Sequence, residues 1–193
     1  MKRVLLLGDS IRMGYDEYVQ EMLKDECEVC FDTDNGRFSV YTLEQAIQMC
    51  NNHGPFQIVH WNNGYWDMDV ESPLGDHFIP VEDYIRYLRR IAQTLKSYGV
   101  EQIIFATTTP IFHDGDAIDP HTGAKLRFRD AWVQRYNAAA RLVMEEENIP
   151  INDLYSLCLQ GEEYYKCADM LHLTKEGYQV CAKQVCEHIR KYL

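Results

Sequence analysis

A serine directly follows the first apolar run of the chain, in the short segment Gly8-Asp9-Ser10. We predict that residues 2–7 form a buried strand and that the serine lies in the turn into a helix. Such a turn holds the hydroxyl at the rim of a sheet, and the nearby helix N-terminus favours developing negative charge. Ser10 is therefore a candidate nucleophile, although Asp and Ser at this place are also typical of a plain helix cap.

A serine hydroxyl becomes a good nucleophile only when a base takes its proton, and histidine is the usual base. Among the seven histidines, His172 stands out because Asp169 precedes it by three residues, just before the last predicted helix. A turn at this point can place both side chains in one cleft, where Asp169 accepts from the imidazole. The two are a candidate base and orienting acid, while a solvated aspartate beside a helix cap explains the same spacing.

Donors for an oxyanion are expected after the second and third strands. Gly36 follows the second strand and offers an unobstructed backbone N–H, as does any ordinary Asn-Gly turn. Asn62 and Asn63 follow the third strand and carry amide N–H groups. An amide donor aimed at an oxyanion typically raises kcat by ~10²–10³, so these residues complete a candidate site.

Candidate substrate-binding residues flank these donors. Trp61, Tyr65 and Trp66 supply flat apolar surfaces, with core packing as the alternative role. Arg12 and Arg37 follow site residues closely and are candidates for holding an anionic substrate group. Ion pairs within this acidic chain explain both arginines equally simply.

Strand-like and helix-like segments alternate along the chain and must position these side chains. The predicted strands cover 2–7, 28–32, 57–62, 102–106 and 149–151. The clearest helix covers 81–97, a capping box at 42–45 predicts a helix start, and the last helix begins near Lys175. Residues 111–128 are expected to form a loop.

This alternation predicts a single α/β domain over residues 1–193, with a five-stranded parallel sheet in a three-layer α/β/α sandwich of the flavodoxin-like kind. Ligands of such sheets bind beyond the carboxyl ends of the strands. The candidate residues after the first, second and third strands and near the last helix are therefore expected to share one cleft.

The composition excludes several classes of partner. The chain of 193 residues has a formal net charge of −11, which argues against nucleic acids and anionic membranes as partners. The N-terminal apolar stretch is too short for a signal peptide. No apolar stretch of the sequence is long enough to span a bilayer. The odd count of seven scattered cysteines then indicates a cytoplasmic protein with free thiols, including Cys27 and Cys30.

The combined motifs resemble the SGNH hydrolases, also called the GDSL-like esterase and lipase superfamily. Gly8-Asp9-Ser10 is similar to the first sequence block of that family, Gly36 to the glycine of the second, and Asp169 with His172 to the last block. The segments GDSIRMGY, WNNGYWD and TTTP resemble one bacterial subgroup of the superfamily.

The resemblance implies a role for each of these residues. Ser10 is expected to be the nucleophile, His172 the general base and then the general acid, and Asp169 the group that orients His172. The backbone N–H groups of Ser10 and Gly36, with an asparagine side chain, are expected to form the oxyanion hole. The implied reaction is acyl transfer to water through an acyl-enzyme, without a metal or cofactor.

The third block departs from the family pattern, which is Gly-x-Asn-Asp. Residues 64–67 read Gly-Tyr-Trp-Asp, so Trp66 stands where the asparagine is expected. Asn62 or Asn63 can reach the same point from just upstream, and we favour Asn62. Without either amide the oxyanion hole lacks a donor.

Two other functions compete with the esterase hypothesis. A metal-dependent phosphoesterase could draw its ligands from the acidic and histidine side chains His60, Asp67, His113, Asp114 and Asp116. A non-catalytic ligand-binding domain on the same fold is the second alternative. An α/β-hydrolase is excluded because Ser10 lacks the Gly-x-Ser-x-Gly flanks.

The expected substrate is a small ester, with an O-acetylated carbohydrate as the class that suits the aromatic residues; the sequence does not specify the oligomeric state.

Overall fold

A parallel sheet forms the centre of the computed structural model, which describes residues 1–70, 75–118, 125–165 and 171–193. Its strands are β1 (Arg3–Leu7), β2 (Glu28–Phe31), β3 (Ile58–Asn62), β4 (Gln102–Ala106) and β7 (Ile151–Asn152). They lie in the order β2-β1-β3-β4-β7, and every pair is parallel. The predicted five-stranded parallel sheet of the flavodoxin-like kind is therefore confirmed.

Helices cover both faces of this sheet. They are α1 (Ser10–Leu23), α2 (Ser39–His53), α3 (Tyr65–Met68), α4 (Val81–Ser97), α5 (Asp130–Glu146), α6 (Leu154–Cys158) and α7 (Lys175–Arg190), with a 3-10 turn at Glu162–Tyr165. α1 packs against α7, whereas α2 and α5 both pack against α4. Strands buried on both faces read as continuous apolar runs, and Val4–Leu7 in β1 is fully buried for this reason.

Three predicted elements differ from the structure. The expected loop at 111–128 contains an antiparallel hairpin of β5 (Gly115–Ile118) and β6 (Lys125–Phe128). The capping box at 42–45 is wrong, because α2 already begins at Ser39 and the Thr42 hydroxyl donates to the Gly36 carbonyl at 2.9 Å. The last strand lies at Ile151–Asn152, slightly beyond the predicted 149–151.

A close approach of α1 and α7 brings the two ends of the chain together. A Cβ atom at Gly14 would lie 2.1 Å from the ring of Tyr178, so only glycine leaves room for this contact. Gly14 lies one turn after Ser10, and Tyr178 lies in the first turns of the helix that follows His172. This contact therefore lies close along the chain to both candidate catalytic residues.

A chain of buried polar side chains connects α7, β7, β3 and α1. Gln184 Nε2 donates to Asn152 Oδ1 at 2.7 Å, and Asn152 Nδ2 donates to His60 Nε2 at 3.0 Å. Nδ1 of His60 faces the Tyr15 hydroxyl at 3.5 Å. His60 is fully buried, and burial lowers its pKa from 6.5 to about 3, with a smaller contribution from the charge of His188. His60 is therefore neutral near pH 7.

No helix in the described ranges has the length and apolar character that crossing a bilayer requires. Within the same ranges the cysteines form no disulfide; Cys27 is buried and Cys30 half-buried.

Candidate active site

The turn between β1 and α1 is built on a close backbone contact. Gly8 has φ +143°, a conformation that side chains disfavour, and a Cβ atom there would lie 2.0 Å from Asn62 Oδ1. Asp9 then caps α1, its Oδ1 accepting the Ile11 N–H at 3.0 Å. Ser10 is thereby fixed as the first residue of the helix, beyond the carboxyl end of β1.

The candidate nucleophile and base are in hydrogen-bonding contact. His172 Nε2 lies 2.8 Å from Ser10 Oγ, although the two residues are 162 positions apart. His172 is half-buried and lies just before α7, which Thr174 caps by accepting the Gly177 N–H at 3.1 Å. Asp169, the expected orienting acid, lies outside the described residues.

A buried carboxyl lies beside the nucleophile. Asp9 is fully buried, and its Oδ1 also accepts from Asn62 Nδ2 at 2.9 Å. Burial raises the pKa of Asp9, while the hydrogen bonds from Asn62 and Ile11 and the charges of His172 and Arg12 oppose that rise. The carboxyl is therefore part of the support for the β1–α1 turn and does not face a substrate.

The predicted oxyanion donor at Gly36 bonds to the turn that precedes Ser10. Its N–H donates to the Gly8 carbonyl at 2.9 Å, and a Cβ atom there would lie 2.5 Å from the same oxygen. The loop after β2 thus closes directly on the β1–α1 turn, and a role for the Gly36 N–H in an oxyanion hole stays a prediction. The Ser10 N–H, in contrast, belongs to the first turn of α1, where a helix has no carbonyl partner of its own.

The two asparagines after β3 have different surroundings. Asn63 Nδ2 donates to the Arg37 carbonyl at 3.1 Å and to Thr42 Oγ1 at 2.8 Å, so both of its N–H groups are used. These bonds favour a structural role for Asn63, and its role as an oxyanion donor stays a prediction. Asn62 is 2% exposed and its Nδ2 donates to Asp9 Oδ1 at 2.9 Å, so a role for its second N–H as an oxyanion donor stays a prediction.

The aromatic residues near β3 divide into buried and accessible ones. Trp61 is fully buried against Phe105, and the Tyr65 hydroxyl donates to the Thr109 carbonyl at 2.6 Å inside the core. This burial favours core packing, the alternative role of Trp61 and Tyr65, over substrate binding, because residues of a doubly covered strand and its first turn point into the core. Trp66 is half-buried and remains a candidate.

Two phenylalanines join Trp66 and were missed by the sequence reasoning. Phe38 packs edge-to-face on Trp66 with ring centroids 5.3 Å apart, and on Phe78 at 5.2 Å. We call Phe38, Trp66 and Phe78 the aromatic surface; Phe78 is 44% exposed. Phe38 lies two residues after Gly36, and this short distance along the chain was a usable signal.

The two arginines do not form an open anion site. Arg12 is 1% exposed and its guanidinium donates to Asp16 Oδ2 at 2.7 Å, which favours an internal ion pair, the stated alternative, over binding of an anionic substrate. Arg37 is partly exposed, pairs with Asp34 at 3.0 Å and lies over the ring of Tyr41. Binding of a substrate anion by Arg37 stays a prediction.

Asp67, the last residue of the third block, supports α2. Its Oδ1 accepts the Ser39 backbone N–H at 2.9 Å and the Ser39 hydroxyl at 2.6 Å. Asp67 is fully buried, and burial raises its pKa from 3.8 to about 7 against the effect of these two hydrogen bonds.

The side chains considered for a metal site are dispersed. His60 lies in the buried strand β3, Asp67 lies in α3, and His113, Asp114 and Asp116 lie in or next to the β5–β6 hairpin. Over the part of the chain that the structure describes, no three His, Cys, Asp or Glu side chains are close enough to share a metal ion.

Comparison with known proteins identifies the fold. No protein-family model and no curated protein matches the sequence. Among solved structures, the acetyl xylan esterase AlAXEase has a TM-score of 0.75 at 18% identity, over 97% of this chain and 99% of that one. A GDSL-like lipase from Bacteroides thetaiotaomicron has a TM-score of 0.74 at 19% identity, covering 100% and 89%. A lipase/acylhydrolase from Enterococcus faecalis has a TM-score of 0.73 at 18% identity, covering 99% and 96%.

These neighbours are esterases and lipases of one structural class. The chain has the fold of the SGNH hydrolases, in agreement with the resemblance of its sequence motifs to that superfamily.

Proposed function

We propose that this protein is a serine esterase of the SGNH type. The observation that carries the proposal is the 2.8 Å contact between Ser10 Oγ and His172 Nε2, at the carboxyl end of β1 and beside the N-terminus of α1. A histidine nitrogen at this distance can accept the hydroxyl proton as the oxygen attacks a carbonyl carbon. The structural similarity to esterases and lipases supports the same reaction class.

The proposed reaction has two acyl-transfer steps. Ser10 Oγ bonds to the ester carbonyl carbon while its proton moves to His172 Nε2, and collapse of the tetrahedral intermediate expels the alcohol with that proton. Water then attacks the acyl-serine, again through His172, and releases the acid. The Ser10 N–H and the second Asn62 N–H are the proposed oxyanion donors. Asp169 is proposed to orient the imidazole.

The proposed substrate is a small acetyl ester on a carbohydrate. The aromatic surface supports this choice, because Trp66 and Phe78 present apolar ring area on which the C–H face of a sugar can lie. The same chemistry is named for two structural neighbours, an acetyl xylan esterase and an acetyl-xylooligosaccharide esterase.

An ester panel tests the activity and its specificity together. We expect hydrolysis of p-nitrophenyl acetate and of acetylated xylo-oligosaccharides, with little activity on p-nitrophenyl decanoate. Ser10→Ala should lower kcat by ~10³-fold or more, because the triad acts as a unit. Ser97→Ala, at the end of α4, is the matched control and should leave kcat unchanged. Equal turnover of acetyl and decanoyl esters would remove the preference for small substrates.

One observation favours a second candidate function, carbohydrate binding without catalysis. The Gly36 N–H is bonded to Gly8, and Trp66 occupies the place of the family's asparagine, so the oxyanion hole has fewer donors than the family pattern implies. Saturable binding of acetylated xylo-oligosaccharides by a protein that hydrolyses no ester would support this alternative.

A further inference from the structure

We infer that Arg12 is a positioning residue that fixes the loop after β2 against the turn that carries Ser10. This inference rests on the proposed esterase function. Arg12 lies in the first turn of α1 and is 1% exposed. Burial of a guanidinium is costly unless its donors meet acceptors. The terminal nitrogens Nη1 and Nη2 of Arg12 meet acceptors, whereas its Nε has no hydrogen-bond partner among the described residues.

The acceptors of Arg12 come from three parts of the site. Nη1 donates to Asp16 Oδ2 at 2.7 Å and to the Asp32 carbonyl at 2.8 Å. Nη2 donates to the Asp34 carbonyl at 2.7 Å and lies 3.5 Å from the Gly8 carbonyl. The planar guanidinium of Arg12 therefore links α1, the loop at residues 32–37 and Gly8.

The Gly8 carbonyl is the point where this loop meets the nucleophile's turn. It accepts the Gly36 N–H at 2.9 Å and lies near Arg12 Nη2. The loop continues from Gly36 into Phe38 of the aromatic surface. Displacement of the loop would therefore disturb both the backbone that precedes Ser10 and the position of Phe38 in the aromatic surface.

Lysine cannot replace arginine here. Its ammonium is a compact charge with three donors, whereas the carbonyls of Asp32 and Asp34 are bonded by two different nitrogens of the guanidinium. In Arg12→Lys at least one buried carbonyl loses its donor, and the loop is expected to shift to reach water.

The test compares Arg12→Lys with two controls. Arg86→Lys makes the same exchange at an exposed pair with Asp83 on α4. Ile91→Ala removes a buried side chain from α4, so it serves as a control for a loss of stability alone. The measurements are kcat and KM for p-nitrophenyl acetate, the unfolding midpoint, and backbone amide exchange at residues 32–37.

For Arg12→Lys we expect kcat to fall by ~10–100-fold, because small misplacements of a reacting group have effects of this size. KM should change far less, and amide exchange at residues 32–37 should become at least roughly tenfold faster, since the loop loses its buried donor. Arg86→Lys should match the wild type, and Ile91→Ala should lose stability while keeping kcat. If Arg12→Lys does not fold, Asp16→Asn replaces it, with the same two changes expected at smaller size.

Several results would overturn the inference. A folded Arg12→Lys protein with wild-type kcat and unchanged exchange at 32–37 contradicts it, as does an equal loss of kcat in Ile91→Ala. A wild-type protein that hydrolyses no ester contradicts the proposed function instead. In that case the exchange measurement alone still decides whether Arg12 fixes the loop.

Discussion

Two histidines in different regions of this molecule show how position decides what the same side chain can do. His60, in the chain of buried polar side chains between α7 and α1, is fully buried and accepts from Asn152 at 3.0 Å. His172, at the rim of the sheet, is half-buried and lies 2.8 Å from the Ser10 hydroxyl. Burial keeps His60 neutral by lowering its pKa to about 3, so it cannot exchange protons near pH 7.

The difference teaches that a histidine becomes a candidate base through its neighbours and access to the surface. A catalytic imidazole must reach a reacting group and exchange its proton with substrate or water. The partners of His60 are an amide and a phenol inside the core, whereas Ser10 begins a helix at the site where sheets of this kind bind ligands.

The largest expected difference in kcat is between a variant that lacks His172 and a variant that lacks His60. His172→Ala should lower kcat for p-nitrophenyl acetate by ~10³-fold or more, because Ser10 loses its base. His60→Gln should lower the unfolding midpoint and leave kcat within about twofold in protein that is still folded, since core changes away from a site act on stability. Steady-state kinetics with circular dichroism melting checks both. A comparable loss of kcat in His60→Gln would erase the distinction.

Substitution at the contact between Gly14 of α1 and Tyr178 of α7 should give the next largest effect. In Gly14→Ala the new methyl group meets the ring of Tyr178, so this ring or α7 itself must shift. We expect a fall in kcat of ~10–100-fold and a loss of ~1–3 kcal/mol in the free energy of unfolding. The control is Glu17→Ala on the exposed face of α1, which should change neither. Wild-type kcat in Gly14→Ala would mean that this packing does not set the Ser10–His172 distance.

The sequence predicted the place of the site because parallel strands bring their carboxyl ends to one edge. That rule placed Ser10, Gly36 and Asn62 together without any contact information. It could not predict which N–H groups are free, because the Gly36 N–H is used by Gly8 only through the conformation of a loop. The apolar residue Phe78 lies in a segment without periodicity, and therefore gave no signal.

The roles of arginine and aromatic residues were harder still to predict, since both residue types occur in the core as well as in binding sites. Arg12 has the charge to bind a substrate anion, yet backbone carbonyls of a neighbouring loop surround it. Trp61 and Trp66 are five residues apart, but only Trp66 lies outside the doubly covered strand. Pairing of strands and closure of loops decide both cases, and neither is local in sequence.

The pH dependence of stability sharpens the contrast for His60. Its pKa falls from 6.5 to about 3 on folding, so between these values the unfolded chain binds more protons. Stability from this group is therefore complete above pH 6.5 and decreases as the pH falls, by up to ~1.4 kcal/mol per pH unit. Urea unfolding at pH 7 and pH 5 should show a smaller loss in His60→Gln than in the wild type. An equal loss would contradict a neutral buried imidazole.

Asp67 should give an effect of similar size, with the opposite sign. Its pKa rises from 3.8 to about 7 on folding, so the folded protein binds more protons between these values and stability decreases as the pH rises. Asp67→Asn keeps an oxygen acceptor for Ser39 and removes this dependence. In urea unfolding between pH 5 and pH 7 the variant should gain up to ~1.4 kcal/mol per pH unit relative to the wild type. A constant difference between the two proteins would show that Asp67 does not titrate in this range.

Covalent labelling with a fluorophosphonate tests the central claim most directly, because the reagent reacts with a serine that a base has activated. Intact-mass analysis and peptide mapping should find one adduct, on Ser10. The adduct should be absent in Ser10→Ala, form ~10³-fold more slowly in His172→Ala, and form at the wild-type rate in folded His60→Gln. Absence of labelling in the folded wild type, an adduct on another serine, or equal rates with and without His172 would contradict the account.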